Sequence, residues 1–170
     1  LEAGEISYNP MVGDLVSFVK NAAAAFADMA QSKNVKLSFT GNVEELYTQF
    51  DPTKMERIIF NLLSNAFKFT PHGGEVAVSV EYDEEASLPI KISVSDTGIG
   101  IEEKELRNIF KPFYQVESNG RTINIGTGIG LSIIHDFVHL HQGEIDVKSE
   151  IGKGTTFIIE LPLVCLLYTS

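Results

Sequence analysis

Lys54, Arg57, Asn61, Asn65 and Lys68 recur at spacings that place them along one stripe of a helix. No carboxylate joins that stripe. An asparagine offers a neutral oxygen to a hard cation such as magnesium and keeps its NH2 for phosphate oxygens. Lys68 adds a point charge at the end of the row. The same residues would also serve as an ordinary solvated face, and this helix alone leaves both readings open.

Three glycine-containing strings add to it. Asp96-Thr97-Gly98-Ile99-Gly100 closes an apolar run. A carboxylate there can accept a hydrogen bond from an exocyclic amine, such as N6 of adenine. Gly98 and Gly100, without Cβ atoms, would let backbone lie against a flat ring. Gly126-Thr127-Gly128-Ile129-Gly130-Leu131 opens a helix, where bare backbone N–H groups make a phosphate cradle. It has neither the spacing of a dinucleotide fingerprint nor the lysine of a P-loop. Gly152-Lys153-Gly154-Thr155-Thr156 is a tight turn into a strand, and either threonine hydroxyl could reach a base.

The elements that must position these groups follow from hydrophobic period. Asp14 caps a helix running to about residue 34, with Leu15, Phe18, Val19, Ala22, Phe26 and Met29 on its apolar side. Residues 35–40 alternate as a strand, with 46–50 as the expected partner. Asp51-Pro52 starts the clearest helix, 52–69, whose apolar series is Met55, Ile58, Ile59, Leu62, Leu63, Ala66 and Phe67. Strands are expected at 75–82, 90–96, 144–149 and 155–161, and helices at 102–110 and 129–141. Residues 115–127 carry no period and read as a long loop, a feature usually kept for function. The fold class is α/β: a two-layer sandwich whose mixed, mainly antiparallel sheet carries helices on one face.

Composition bounds the rest. At 170 residues, with 44% hydrophobic content, the chain makes one domain with a real core. A net charge of −10 argues against a nucleic-acid partner, which needs a basic face. No apolar run approaches the roughly 20 residues of a membrane span, so no membrane contact is expected of these residues. Cys165 is the sole cysteine, which excludes a disulfide framework and a cysteine zinc site and suits a reducing compartment. His135-Asp136-Phe137-Val138-His139 has the spacing of the His-Glu-x-x-His zinc proteases with Asp for Glu. Surface or helix-capping histidines are the expectation there. Phe113 and Tyr114 are expected to pack as a hinge, and the carboxylates at 83–85 to form a solvated turn.

In order and combination these strings resemble the catalytic ATP-binding domain of sensor histidine kinases. Asn61–Thr70 resembles the N box, Asp96–Gly100 the G1 box, Phe110–Tyr114 the F box, Gly126–Gly130 the G2 box and Gly152–Gly154 a further glycine box. The resemblance covers residues 1–163 and implies a Bergerat-type ATP-binding fold with ATP and Mg2+ as ligands. It implies that Asn65 ligates magnesium with Asn61 nearby, that Lys68 meets phosphate, that Phe69 packs beside adenine and that Asp96 takes N6. Residues 115–127 would form the ATP lid, with Arg121 a γ-phosphate contact.

Related ATPases of that superfamily carry a water-activating Glu one turn before the metal-binding Asn. Here the position is Asn61, which cannot act as a base, so phosphotransfer is favoured over hydrolysis. The family's phosphoacceptor histidine lies on an upstream helix, and His72, His135, His139 and His141 do not stand in that context. The implied partners are that dimerisation and phosphoacceptor segment and a response regulator receiver domain. The parent would be a homodimer, cytoplasmic here and membrane-anchored elsewhere. Residues 1–12 would end the linker from the dimerisation segment, 13–163 form the domain and 164–170 a tail. A nucleotide-binding regulatory module without phosphotransfer is the alternative.

Overall fold

Alternation along three central strands decides the architecture. In β4 (Glu75–Tyr82), β5 (Ile90–Asp96) and β9 (Gly154–Leu161) every second side chain is buried. Val76, Val78, Val80, Ile90, Ile92, Val94, Phe157, Ile159 and Leu161 therefore share one face. The opposite face carries Ser79, Ser93, Ser95, Thr156 and Lys91 beside Ala77 and Ile158, and is mainly polar. The computed structural model describes residues 7–118, 121–123 and 130–165. Its main sheet has the order β2-β4-β5-β9-β8, with β2 spanning Lys36–Gly41 and β8 spanning Glu144–Glu150. Only β2 and β4 run parallel. The expected mixed, mainly antiparallel sheet with one helical face is what forms.

The helical layer is built around α3 (Pro52–Phe69). Asp51 caps it by accepting from the Lys54 N–H at 3.2 Å, and Pro52 supplies a preset φ at the first helical position. Met55, Ile58, Ile59, Leu62, Leu63, Ala66 and Phe67 are all buried. Helix α1 (Leu15–Ala24) packs on one side of α3, and α5 (Gly130–Leu140) on the other. At the far end Thr70 Oγ1 donates to the Ala66 carbonyl at 2.6 Å, and the Lys33 ammonium bonds the Phe67 and Thr70 carbonyls. A cation there also favours the negative end of the helix dipole.

Several expectations change. The helix expected over 14–34 is two: α1, capped by Asp14, and α2 (Ala27–Lys33). The break falls at Phe26, whose ring stacks on Phe67 at 5.7 Å and meets Phe60 edge-on at 5.4 Å. Those tertiary contacts turn the chain where the alanine-rich sequence would continue it, and Met29 is left 45% exposed. Strand β3 (Tyr47–Phe50) pairs not with β2 but with β1 (Met11–Asp14), antiparallel, in a separate two-stranded sheet. Met11 and Val12 of β1 lie within the stretch read as linker. At the other end, Val164 bonds Thr48 and Gln49 of β3. Helix α4 shrinks to Glu103–Leu106. The loop expected from 115 contains an antiparallel hairpin, β6 (Val116–Ser118) with β7 (Arg121–Ile123), and Val116 is buried.

The start of α3 holds a buried polar cluster. Lys54, read above as part of the exposed stripe, is instead buried against Asp51, with 3.3 Å between ammonium and carboxylate. The same oxygen, Oδ2, also accepts from the Asn9 N–H at 2.9 Å. Burial opposes ionisation of Asp51, but these donors outweigh it and hold the carboxyl below its ordinary range. His141, expected at the surface or as a cationic cap, is buried too. Its Nε2 accepts from the Asp51 N–H at 3.1 Å and its Nδ1 lies 2.7 Å from the Phe137 carbonyl. Burial pushes that imidazole below its ordinary pKa, and an Nε2 that accepts from an N–H carries no proton of its own. Among the described residues, no helix is long and apolar enough to cross a membrane.

Candidate functional site

The apolar sheet face ends in two polar groups, Asp96 on β5 and Thr155 on β9, which are paired in register. They open into a pocket between the sheet and α3, walled by Phe69, Ile99, Ile101, Val116 and Phe157. Asn65 looks in from the helix. An apolar slot with few polar groups suits a flat heterocycle.

Asp96 Oδ1 accepts the Gly98 N–H at 2.8 Å and the Thr155 N–H at 3.3 Å. Burial lifts its carboxyl above the ordinary value, against the pull of those two N–H groups. With both backbone donors on Oδ1, Oδ2 is the oxygen left for a ligand's amine.

The glycines around Asp96 are needed for protein packing. A Cβ on Gly98 would overlap the Phe69 carbonyl, one on Gly100 the Glu150 carbonyl, and one on Gly154 the Asp96 carbonyl. Protein backbone, not a ligand ring, fills the space these glycines leave. Gly100 and Gly154 also have φ of +77° and +124°, where L side chains are strained. Gly154→Ala should lower stability by roughly 2 kcal/mol or more, read as a lower denaturation midpoint, because strain and overlap add.

The two threonines separate by strand alternation. Thr155 faces the pocket, is buried and shares a 2.7 Å hydrogen bond with Ser149. Thr156 points to the opposite face, where its hydroxyl lies 2.8 Å from that of Ser95. Of the two, only Thr155 lines the pocket.

On α3, Asn65 is buried and lines the pocket. Asn61 is half-buried, and its Nδ2 donates to the Arg57 carbonyl at 3.0 Å. Lys68 is exposed, with its ammonium 5.3 Å from the Phe69 ring centre. It borders a neighbouring cleft with Lys33, Thr70, Pro71, His72 and Ile99. Leu131 is buried in the core just inside α5, and Gly130 begins that helix. The Arg121 side chain, Gly126, Thr127 and Gly128 lie outside the described residues. Phe113 is not packed as expected. It is 77% exposed with φ of +61°, while the Tyr114 hydroxyl bonds the buried carboxylate of Glu105.

Ile101, Val116 and Phe157 were not anticipated as site residues. Phe157 could have been found from alternation, since it lies two residues after Thr155 on the same face. Val116 could not, because nothing in residues 115–127 announces a hairpin that folds inward.

The family of histidine kinase-, DNA gyrase B- and HSP90-like ATPases matches residues 50–164. The chain belongs to this family. Within it, the chain is similar to ATP-binding domains of sensor histidine kinases. It is 38% identical over 163 residues to the sensor histidine kinase TmoS of Ectopseudomonas mendocina, covering 96% of this chain and 16% of TmoS. It is 39% identical over 165 residues to hybrid signal transduction histidine kinase D of Dictyostelium discoideum, covering 96% of this chain and 11% of that protein. The chain therefore spans about a sixth or less of these relatives' length.

Among solved structures, the nucleotide-free catalytic domain of histidine kinase ThkA superposes with a TM-score of 0.78 at 25% identity. That superposition covers 92% of this chain and 97% of that one. ThkA in complex with the response regulator TrrA superposes at 0.74 and 24% identity, over 91% of this chain and 42% of that one. For a member of this ATPase family, the Asp96 pocket is the candidate nucleotide site.

Proposed function

We propose that this domain binds Mg-ATP and transfers its γ-phosphoryl group to a histidine on a separate helical dimerisation segment, in the cytoplasm. Relay to a response regulator aspartate would follow, as the ThkA–TrrA complex suggests. The adenine would enter the slot beside Phe69, its N6 amine donating to Asp96 Oδ2. Asn65, with Asn61 one turn earlier, would hold the magnesium ion. Among the described residues no group of three or more His, Cys, Asp or Glu side chains could hold a metal by itself. That suits an ion bound mainly through phosphate oxygens and water, with an amide oxygen from the protein, as magnesium prefers. When bound, it would neutralise phosphate charge. Lys68, and Arg121 from the lid, would steady the phosphates.

The observation that carries the choice of transfer over hydrolysis is the chemistry of the site's acidic groups. Asp96 is the one carboxylate among the described lining residues, and its oxygens are committed to backbone N–H groups and the proposed amine. At the turn before Asn65 stands Asn61, with no basic oxygen to take a proton from water. The γ-phosphate is then presented to an external imidazole. The histidine nitrogen forms a bond to phosphorus, the bond to the β–γ bridging oxygen breaks, ADP leaves with that electron pair, and the imidazole proton passes to solvent. Positioning and charge neutralisation, which this domain supplies, dominate such transfers.

ATP affinity with and without magnesium, in wild type and Asn65→Ala, tests the metal assignment. Wild type should gain about tenfold or more from magnesium, consistent with a lost charge-assisted contact of about 1.5 kcal/mol. Asn65→Ala should lose that gain. A wild type indifferent to magnesium sinks the assignment.

A further inference from the structure

We propose that His135 and His139, one turn apart on α5, form a surface chelate for an imidazole-seeking divalent transition metal, separate from the nucleotide's magnesium. Their Nε2 atoms stand 3.2 Å apart, with ring centres at 4.4 Å. A metal about 2.0–2.1 Å from each nitrogen spans donors about 2.9 Å apart at a right angle and about 3.4 Å apart at a tetrahedral angle. The observed separation lies inside that interval, so modest turning of the two rings brings both lone pairs onto one ion. Both rings reach solvent: the His135 side chain is 41% exposed, and His139 is exposed.

Two neighbours flank the first ligand. The Asp136 carboxylate lies 3.9 Å from His135 Nδ1, on the far side of the ring from the chelating nitrogen. At that distance the carboxylate makes no direct hydrogen bond to the ring but adds negative charge beside a bound cation. The Phe110 ring packs beside His135 at 5.7 Å and itself meets Phe157, a wall of the nucleotide pocket, at 6.2 Å. The site therefore sits two rings away from the base slot.

The His-x3-His spacing had the look of a zinc protease signature, and the geometry explains why it is not one. Among the described residues no third His, Cys, Asp or Glu completes a closed site. Closed four-ligand shells mark structural zinc, whereas two imidazoles leave the remaining positions to water. The ion is thus exchangeable. Imidazole donors favour nickel, copper or zinc over magnesium.

The test uses the untagged domain titrated with Ni2+ by calorimetry, with thermal melts in parallel. One ion should bind per domain at micromolar to submillimolar concentration and raise the melting temperature, since binding the folded state alone stabilises it. His139→Ala, at an exposed position, and His135→Gln should each weaken binding tenfold or more. His72→Gln should bind as wild type, and millimolar Mg2+ should not compete. No saturable binding up to about 1 mM Ni2+ overturns the proposal, as does His139→Ala binding as wild type.

Discussion

Asp96→Asn is expected to bind ATP roughly 100-fold more weakly than wild type, a loss of about 2.7 kcal/mol, while melting at the same temperature or higher. The asparagine oxygen can still accept the Gly98 and Thr155 N–H groups that now fall on Oδ1. Its NH2 would then occupy the place of Oδ2 and face the adenine amine, donor against donor. Stability moves the other way. Burial lifts the Asp96 carboxyl pKa, so above the ordinary carboxylate range the folded state carries an ionised group that it disfavours. Removing the charge removes that penalty. Calorimetric ATP titration beside a thermal melt reads both halves, and a large drop in melting temperature would mean that Asp96 is structural.

The second large effect concerns folding. Asp51→Ala should destabilise the domain by about 3–4 kcal/mol, since it removes a helix cap and strands the buried Lys54 ammonium. At this chain length that corresponds to a melting temperature lower by roughly 10 °C. Lys54→Met should cost less, because the carboxylate keeps its Asn9 and Lys54 N–H donors. The acid response carries the same signature. A carboxyl held below its ordinary value contributes stability that is complete above about pH 3.9 and is lost as pH falls through its lower folded value. Asp51→Ala should lack that part of the acid transition when unfolding is followed between about pH 5 and 2.

What could be read from sequence was whatever local chemistry decides. The Asp51-Pro52 start of α3 and its apolar period needed no partner to be visible, and β4, β5, β8 and β9 announced themselves by alternation. The misreadings share a cause, which is contact between distant parts of the chain. The angular position of Lys54 was right in part, but the helix wheel could not show Asp51 drawing it inward. Phe26 breaks a helix because Phe60 and Phe67 wait for it. β3 passes over its neighbour in sequence for β1.

The site followed the same division. Asp96, Asn65 and Phe69 converge on one pocket. Thr155 and Thr156 could have been told apart by the period of β9 alone. The packing need for the glycines was not visible, because the backbone that crowds Gly98, Gly100 and Gly154 comes from three separate elements. His141 looked like a surface residue because the N-cap it serves lies far away in sequence.

The central claim is transfer of the γ-phosphoryl group to an external histidine. The direct measurement mixes this domain with the proposed helical phosphoacceptor segment and ATP labelled at the γ-phosphate. The account predicts acid-labile label on that segment, dependent on Asp96 and Asn65, and little phosphate released by the domain alone. Tight ATP binding with no label on the segment would contradict it in favour of a regulatory module, and vigorous phosphate release by the pure domain would contradict the role given to Asn61.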